Sequence, residues 1–198
     1  MTSQEESPVL ASQLSQTKQL AFSLLIFERM LPRMVAFCKD TGVECACCLQ
    51  AKDVAWSDME AGRRRPNLYQ SLNESCLKNA PDTEDFTHEM TSDALDAFIT
   101  MIHIMEFMLD GRFDHIAGVS ALATDSVDGY LADLEPGFVM TKEIEDRIAS
   151  HPLMLQELQR QKDDIKFLTA LPDHFDSETI EALKSRSTSQ PSLVPLTR

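Results

Sequence analysis

The sequence predicts an all-α fold: a single compact multi-helix domain packed around one central buried helix. Apolar residues recur at helical spacing almost everywhere, and strict period-two alternation is nearly absent. Only 6 of 198 residues are glycine, which leaves little material for a hairpin-rich β fold. The third observation is the segment from Ser92 to Asp110. From Asp93 onward it has twelve apolar residues, and the six others are Asp93, Asp96, Thr100, His103, Glu106 and Asp110. At about 100° per residue those six fall within an arc of roughly 140°. A helix apolar over the rest of its circumference must be wrapped by neighbours on several sides.

The first helix is expected from about Ser12 to Leu31. Pro32 suits the first turn of a new helix, because its fixed φ is helical and its missing N–H is not needed there. That short helix should run to Lys39 and stop at Thr41-Gly42. A third covers about Glu44 to Glu60 and ends at Gly62 and Arg63-Arg64-Arg65. Pro66 opens a fourth, closed by Asn79-Ala80-Pro81. Ser92 and Asp93 suit the start of the central helix and Gly111 its end. A helix from Phe113 to Leu134 follows, with a turn at Glu135-Pro136-Gly137. Thr141 caps the next, which is interrupted at His151-Pro152 and resumes to Leu171. A last short helix begins at Asp176-Ser177 and fades after Lys184. Residues 1–8 and the Ser/Thr/Pro-rich tail 185–198 are expected to be disordered, with 9–184 forming the domain.

Asp and Glu number 32 against 18 Lys and Arg, a formal charge of −14. Such a surface repels phosphate backbones and anionic lipid, so neither nucleic acid nor membrane is an expected partner. The acidic start lacks the regions of a secretory signal, and no apolar run reaches the eighteen or so residues of a span. Five unevenly spaced cysteines argue against a disulfide framework, and the cytoplasm is the expected address.

Several residues could carry chemistry. Glu28 ends an almost wholly apolar segment, so its carboxylate points to the core or its edge and must be paired or protonated. It is either a pocket acid or a polar clamp between helices. On the central helix His103 and Glu106 are three residues apart and therefore neighbours. Carboxylate-bundle metal sites combine Glu-x-x-His motifs from several helices, whereas His-Ile-Met-Glu runs in the reverse order and has no second copy. His115 and His151 lack a matching partner. The polar stripe therefore reads as a solvated face, with His103 and Glu106 the only metal candidates, and no cofactor is expected. Cys45 and Cys48 form a C-x-x-C, but only Cys76 follows, and packing in a helix is the simpler account. Arg63 to Arg65 form the only basic cluster, suited to a helix end. G-x-S-x-G, P-loop and H-E-x-x-H motifs are all absent.

At Glu28-Arg29-Met30-Leu-Pro32, Phe37-Cys38 and Thr41-Gly42 the chain resembles the YjaG-like family of small bacterial proteins of unknown function. The likeness continues through Asp53-Val-Ala-Trp56, Pro81, Phe86, Ala94-Leu-Asp96-Ala97, Val119-Ser120 and Ser126-Val127, about residues 15 to 170. It implies a compact all-helical cytoplasmic domain and brings no activity, substrate or catalytic residue. Glu28, Arg29, Asp53, Trp56 and Asp96 lie in matched segments and are the candidates for a shared site. The first expectation is a non-enzymatic interaction or regulatory protein with a protein partner or self-association, as in a homodimer. The alternative is a carboxylate/His-based metal-binding protein or hydrolase-type enzyme using Glu28, Asp96, His103 and Glu106.

Overall fold

Ser92 to Asp110 does form the spine, as a helix from Thr91 to Asp110. The computed structural model describes residues 3–135 and 141–196, and every regular element among them is a helix. They are α1 (Ser3–Ala11), α2 (Gln16–Thr41), α3 (Ala46–Ala61), α4 (Pro66–Asn79), α5 (Thr91–Asp110), α6 (Phe113–Ala132), α7 (Lys142–Ala149), α8 (Pro152–Ala170) and α9 (Ser177–Ser189). α5 packs against α2, α3, α4 and α6. Its Ala94, Ala97, Phe98, Met101, Ile104 and Met105 are completely buried. At about 1.5–3 kcal/mol for each large apolar side chain removed from water, this one helix contributes a major share of the core. None of the described helices is long and apolar enough to cross a membrane.

Side-chain capping marks the starts of α7, α8 and α9. Thr141 accepts a hydrogen bond from the Ile144 amide at the start of α7, and Asp176 accepts one from Thr179 at the start of α9. His151-Pro152 separates α7 from α8 as the sequence suggests, with His151 Nδ1 accepting from the Leu153 amide. The turn expected at Glu135-Pro136-Gly137 lies, beyond Glu135, outside the described residues.

Three expectations need correction. The break at Pro32 is absent, and α2 runs unbroken from Gln16 to Thr41. An interior proline costs on the order of 3 kcal/mol, but Arg29 and Arg33, on either side of it, are both buried and tied down. Arg33 Nε donates to Asp93 on α5 at 2.8 Å, so tertiary packing holds the helix through the proline. Residues 3–8, expected to be disordered, lie in α1, which packs on α6 and α8. At the other end α9 continues to Ser189. The segment after it lies on α2: Leu193 and Val194 are buried, and the Leu193 amide donates to the Arg29 carbonyl at 2.9 Å. Composition alone reads this tail as unfolded, yet besides these contacts Arg33 donates to the Pro195 carbonyl and Ser192 to the Arg29 carbonyl, so buried side chains and hydrogen bonds together dock it.

The innermost polar feature joins four helices. Arg29, with no exposed side-chain surface, grips Glu157 through two bonds, Nε to Oε2 at 3.1 Å and Nη2 to Oε1 at 2.8 Å. Its Nη1 donates to Asp164 at 2.7 Å and to Gln190 at 3.0 Å. Asp164 also receives Arg186 of α9 at 2.8 Å. Gln161 bridges Glu157 at 3.2 Å, and Ser120 of α6 donates to it at 2.6 Å. Burial works against the Arg29 charge, but the two carboxylates outweigh it and hold its pKa above the ordinary value.

The polar stripe of α5 is not a solvated face but a seam against α6 and α2. Thr100 is fully buried and donates to Met30 Sδ at 3.4 Å. Asp96, half-buried, accepts from Ser126 of α6 at 2.6 Å. Burial pushes the Asp96 pKa up to about 6; the Ser126 hydrogen bond opposes the shift, and Asp93 and Asp125 reinforce it.

Three outcomes follow. Arg29→Met strands two carboxylates in the core and should cost about 3–5 kcal/mol in urea unfolding. Lys142→Ala, which breaks the exposed pair with Asp146, should leave the urea midpoint essentially unchanged. Asp96 retains its proton to about pH 6 when folded, against 3.8 in the unfolded chain. Stability is therefore lost as pH rises through that window, and the loss is complete above it. Asp96→Asn should stabilise the protein by about 1–2 kcal/mol at pH 8, with the gain gone near pH 4. An equal gain at both pH values in thermal melts refutes this assignment.

Candidate metal centre

α5 ends where Gly111 takes a left-handed conformation, φ 72°, and its amide caps the Phe107 carbonyl. α6 starts two residues later at Phe113, so the chain doubles back at once. The first turn of α6 therefore lies beside the last turns of α5, and this brings His115 against His103 and Glu106.

The three side chains converge on one carboxylate oxygen. His103 Nδ1 lies 3.3 Å from Glu106 Oε2, and His115 Nδ1 lies 3.1 Å from the same atom. One ligand atom from each residue lies within 4.8 Å of the others. The two imidazoles are 5.8 Å apart between ring centres and tilted by 41°. All three residues are half-buried, so the cluster sits at a solvent margin. His103 Nδ1 is itself buried and, despite the short separation from Glu106, is not aligned to make a hydrogen bond. The far nitrogen of His115, Nε2, is 3.1 Å from Asp110 Oδ2. The Arg112 amide donates to Asp110 at 2.8 Å, and this, with His115, holds the Asp110 pKa below the usual carboxylate range.

Gly118, inside α6, is where the His103 ring rests. A Cβ there would stand 3.0 Å from His103 Nε2 and 3.2 Å from Cδ2. A glycine in a helix interior costs about 1 kcal/mol relative to alanine. Here it admits the imidazole edge against the backbone.

The residues singled out in the sequence go to different places. Glu28 accepts from Trp56 Nε1 at 3.3 Å, and Lys52 stands 3.6 Å from both Glu28 and Asp53. Glu28, Trp56 and, through Lys52, Asp53 are thus brought together between α2 and α3. Arg29 faces the opposite way, into α8 and α9, and Asp96 meets α6 at Ser126. Glu28 and Asp96 therefore do not join His103 and Glu106, and the four-residue site imagined from the sequence does not form. His115, set aside for want of a partner, is the residue that completes the cluster. The signal was the short Gly111-Arg112 turn, which sets position 115 beside position 106.

The basic run is also engaged. Arg63 and Arg65 pair with the buried Asp58 at 3.3 and 2.8 Å, and Tyr69 donates to the same carboxylate at 2.8 Å. A neighbouring cleft of about 240 Å³ is lined by Met59, Tyr69, Phe107 and Asp110. Its volume falls below the roughly 300–1,000 Å³ usual for small-molecule sites. Among the described residues, the large exposed apolar side chains Val9, Val35, Leu77, Leu134, Leu155 and Leu196 lie on six different segments.

No curated protein matches the chain. A solved structure, described as a DUF416 family protein from Shewanella baltica OS155, shares its fold with a TM-score of 0.79. That likeness has 17% identity and covers 92% of this chain and 93% of the other. A family profile described as "Protein of unknown function (DUF416)" matches residues 10–192. The chain with this helical seam and His/Glu cluster therefore belongs to the DUF416 family.

Proposed function

We propose that the protein binds one divalent transition-metal ion through His103 Nδ1, a Glu106 carboxylate oxygen and His115 Nδ1. The likeness to YjaG-like proteins is part of this reading and rests on the short sequence matches quoted above. The observation that carries the proposal is the convergence of two imidazoles and one carboxylate from two helices, with the His103 Nδ1 lone pair or proton left without a hydrogen bond. Tetrahedral zinc with bonds of about 2.0–2.1 Å sets its ligand atoms about 3.4 Å apart. The separations of 3.3 and 3.1 Å from Glu106 are near that figure.

Asp110 completes the arrangement from outside. It accepts from His115 Nε2, which fixes the ring tautomer that leaves Nδ1 free to ligate. Two histidines and one carboxylate, all half-buried, leave coordination positions open to water. An ion held this way acts as a Lewis acid and lowers the pKa of its bound water. That supports the hydrolase-type alternative over a purely structural ion, whose site would be closed.

Zinc or cobalt(II) titration of metal-stripped protein, followed by calorimetry and by the cobalt ligand-field spectrum, tests the proposal. One ion per chain is expected. His115→Ala and Glu106→Gln should abolish binding, and Asp110→Asn should weaken it by about 10–100-fold. Gly118→Ala should leave the metal-free fold intact, since the half-exposed His103 ring can swing outward, but should weaken metal binding. If the wild-type chain takes up no stoichiometric ion, or binds as tightly after His115→Ala, the cluster is only an ion-pair clamp at the α5–α6 turn.

A further inference from the structure

The cysteines gather at the junction of α2, α3 and α4. Cys47 and Cys48 lie in the first turn of α3, and Cys76 lies in the last turn of α4, which packs on α3. All three are buried free thiols, and their sulfurs lie within 4.8 Å of one another. Cys48 Sγ is 3.6 Å from Cys76 Sγ. The pair that meets is therefore not the C-x-x-C of Cys45 and Cys48. Position 76, twenty-eight residues further on, supplies the partner.

Cys47 and Cys48 are electrostatically unequal. Hydrogen bonds from Cys48, Cys76 and Ser75 lower the Cys47 pKa to about 6 against the opposing effect of burial. Its place at the start of α3 favours a thiolate further. Its hydrogen bonds to Cys47 and Cys76, followed by burial, push the Cys48 thiol up. Cys38 is pushed up to about 12 by burial and by its neighbours Cys45 and Cys47.

We propose that Cys47, Cys48 and Cys76 form an all-sulfur site for copper(I). Metal–sulfur bonds of about 2.3 Å in a trigonal plane set the sulfurs about 4.0 Å apart, a spacing the 3.6 Å pair and the 4.8 Å limit bracket. The set contains no histidine or carboxylate. Structural zinc prefers four ligands, whereas soft sulfur donors select copper(I). Binding forms three copper–sulfur bonds, and any protons the three thiols carry are released to solvent. No electron is transferred.

The test is anaerobic titration of the full chain with copper(I) against a chromogenic copper(I) chelator, with X-ray absorption of the loaded protein. One copper per chain with a sulfur-only shell is expected. Cys76→Ser and Cys48→Ser should weaken retention by on the order of 100-fold, while Cys45→Ser should retain it. His115→Ala should also keep its copper, which separates this site from the imidazole centre. The proposal fails if the folded wild-type chain retains no copper, if Cys76→Ser holds it equally well, or if nitrogen enters the shell. Should the serine variants not fold by circular dichroism, the wild-type sulfur-only shell decides.

Discussion

The guanidinium of Arg29, enclosed with Glu157 and Asp164, is the interaction on which the arrangement of helices depends. Removing an arginine from water costs several kcal/mol unless its charge and its donors are matched. Here Glu157 and Asp164 supply the counter-charges to Arg29, and Arg186 takes the remaining oxygen of Asp164. Apolar faces tolerate sliding past one another, whereas a forked guanidinium–carboxylate pair admits a single geometry. Glu157, Gln161 and Asp164 recur at intervals of four and three and form one stripe of α8. That stripe fixes the rotation and height of α8 against α2, and Gln190 extends the constraint beyond α9.

α5 then distributes several environments along one helix. Its first turns are polar and acidic, with Asp93 bound to Arg33 and Asp96 to Ser126. Its middle is apolar enough for Thr100 to rely on a thioether. Its last turns carry His103, Glu106 and Asp110 to the margin where α6 begins. The same close approach of α5 and α6 that buries Asp96 also brings the His103 ring onto Gly118, so the chemistry of the seam follows from the packing distance.

The spine was legible because composition and periodicity agree there: twelve apolar residues on a wide arc leave no other stable solution. The starts of α7, α8 and α9 were legible from local capping chemistry. Pro32 misled because the local cost of an interior proline is visible in sequence, whereas the distant groups that anchor Arg29 and Arg33 are not. The tail misled for a similar reason, since Leu193 and Val194 are too few to register against Ser, Thr and Pro. Nothing in the sequence marks Glu157 and Asp164 as buried, since almost all Glu and Asp lie at the surface. Of the cluster, His103 and Glu106 were found by spacing along one helix. His115 was lost because its proximity depends on a reversal between helices. The grouping of Glu28 with Trp56 and Asp53, and the separation of Arg29 and Asp96 from them, likewise depend on which way neighbouring residues of α2 and α5 face.

The sequence distance spanned by the Arg29 contacts bears on how the chain emerges during synthesis. Its carboxylate partners lie 128 and 135 residues downstream, and Gln190 lies 161 downstream. At about 5–20 residues per second, translation leaves that cation without its counter-charges for many seconds after α2 has left the ribosome. The amino-terminal helices can collapse early, yet their core stays open on the Arg29 side until α8 arrives. Acquisition of the native state is thus tied to the last quarter of the polypeptide, and a ribosome stalled before residue 157 would carry a half-assembled, wettable interior.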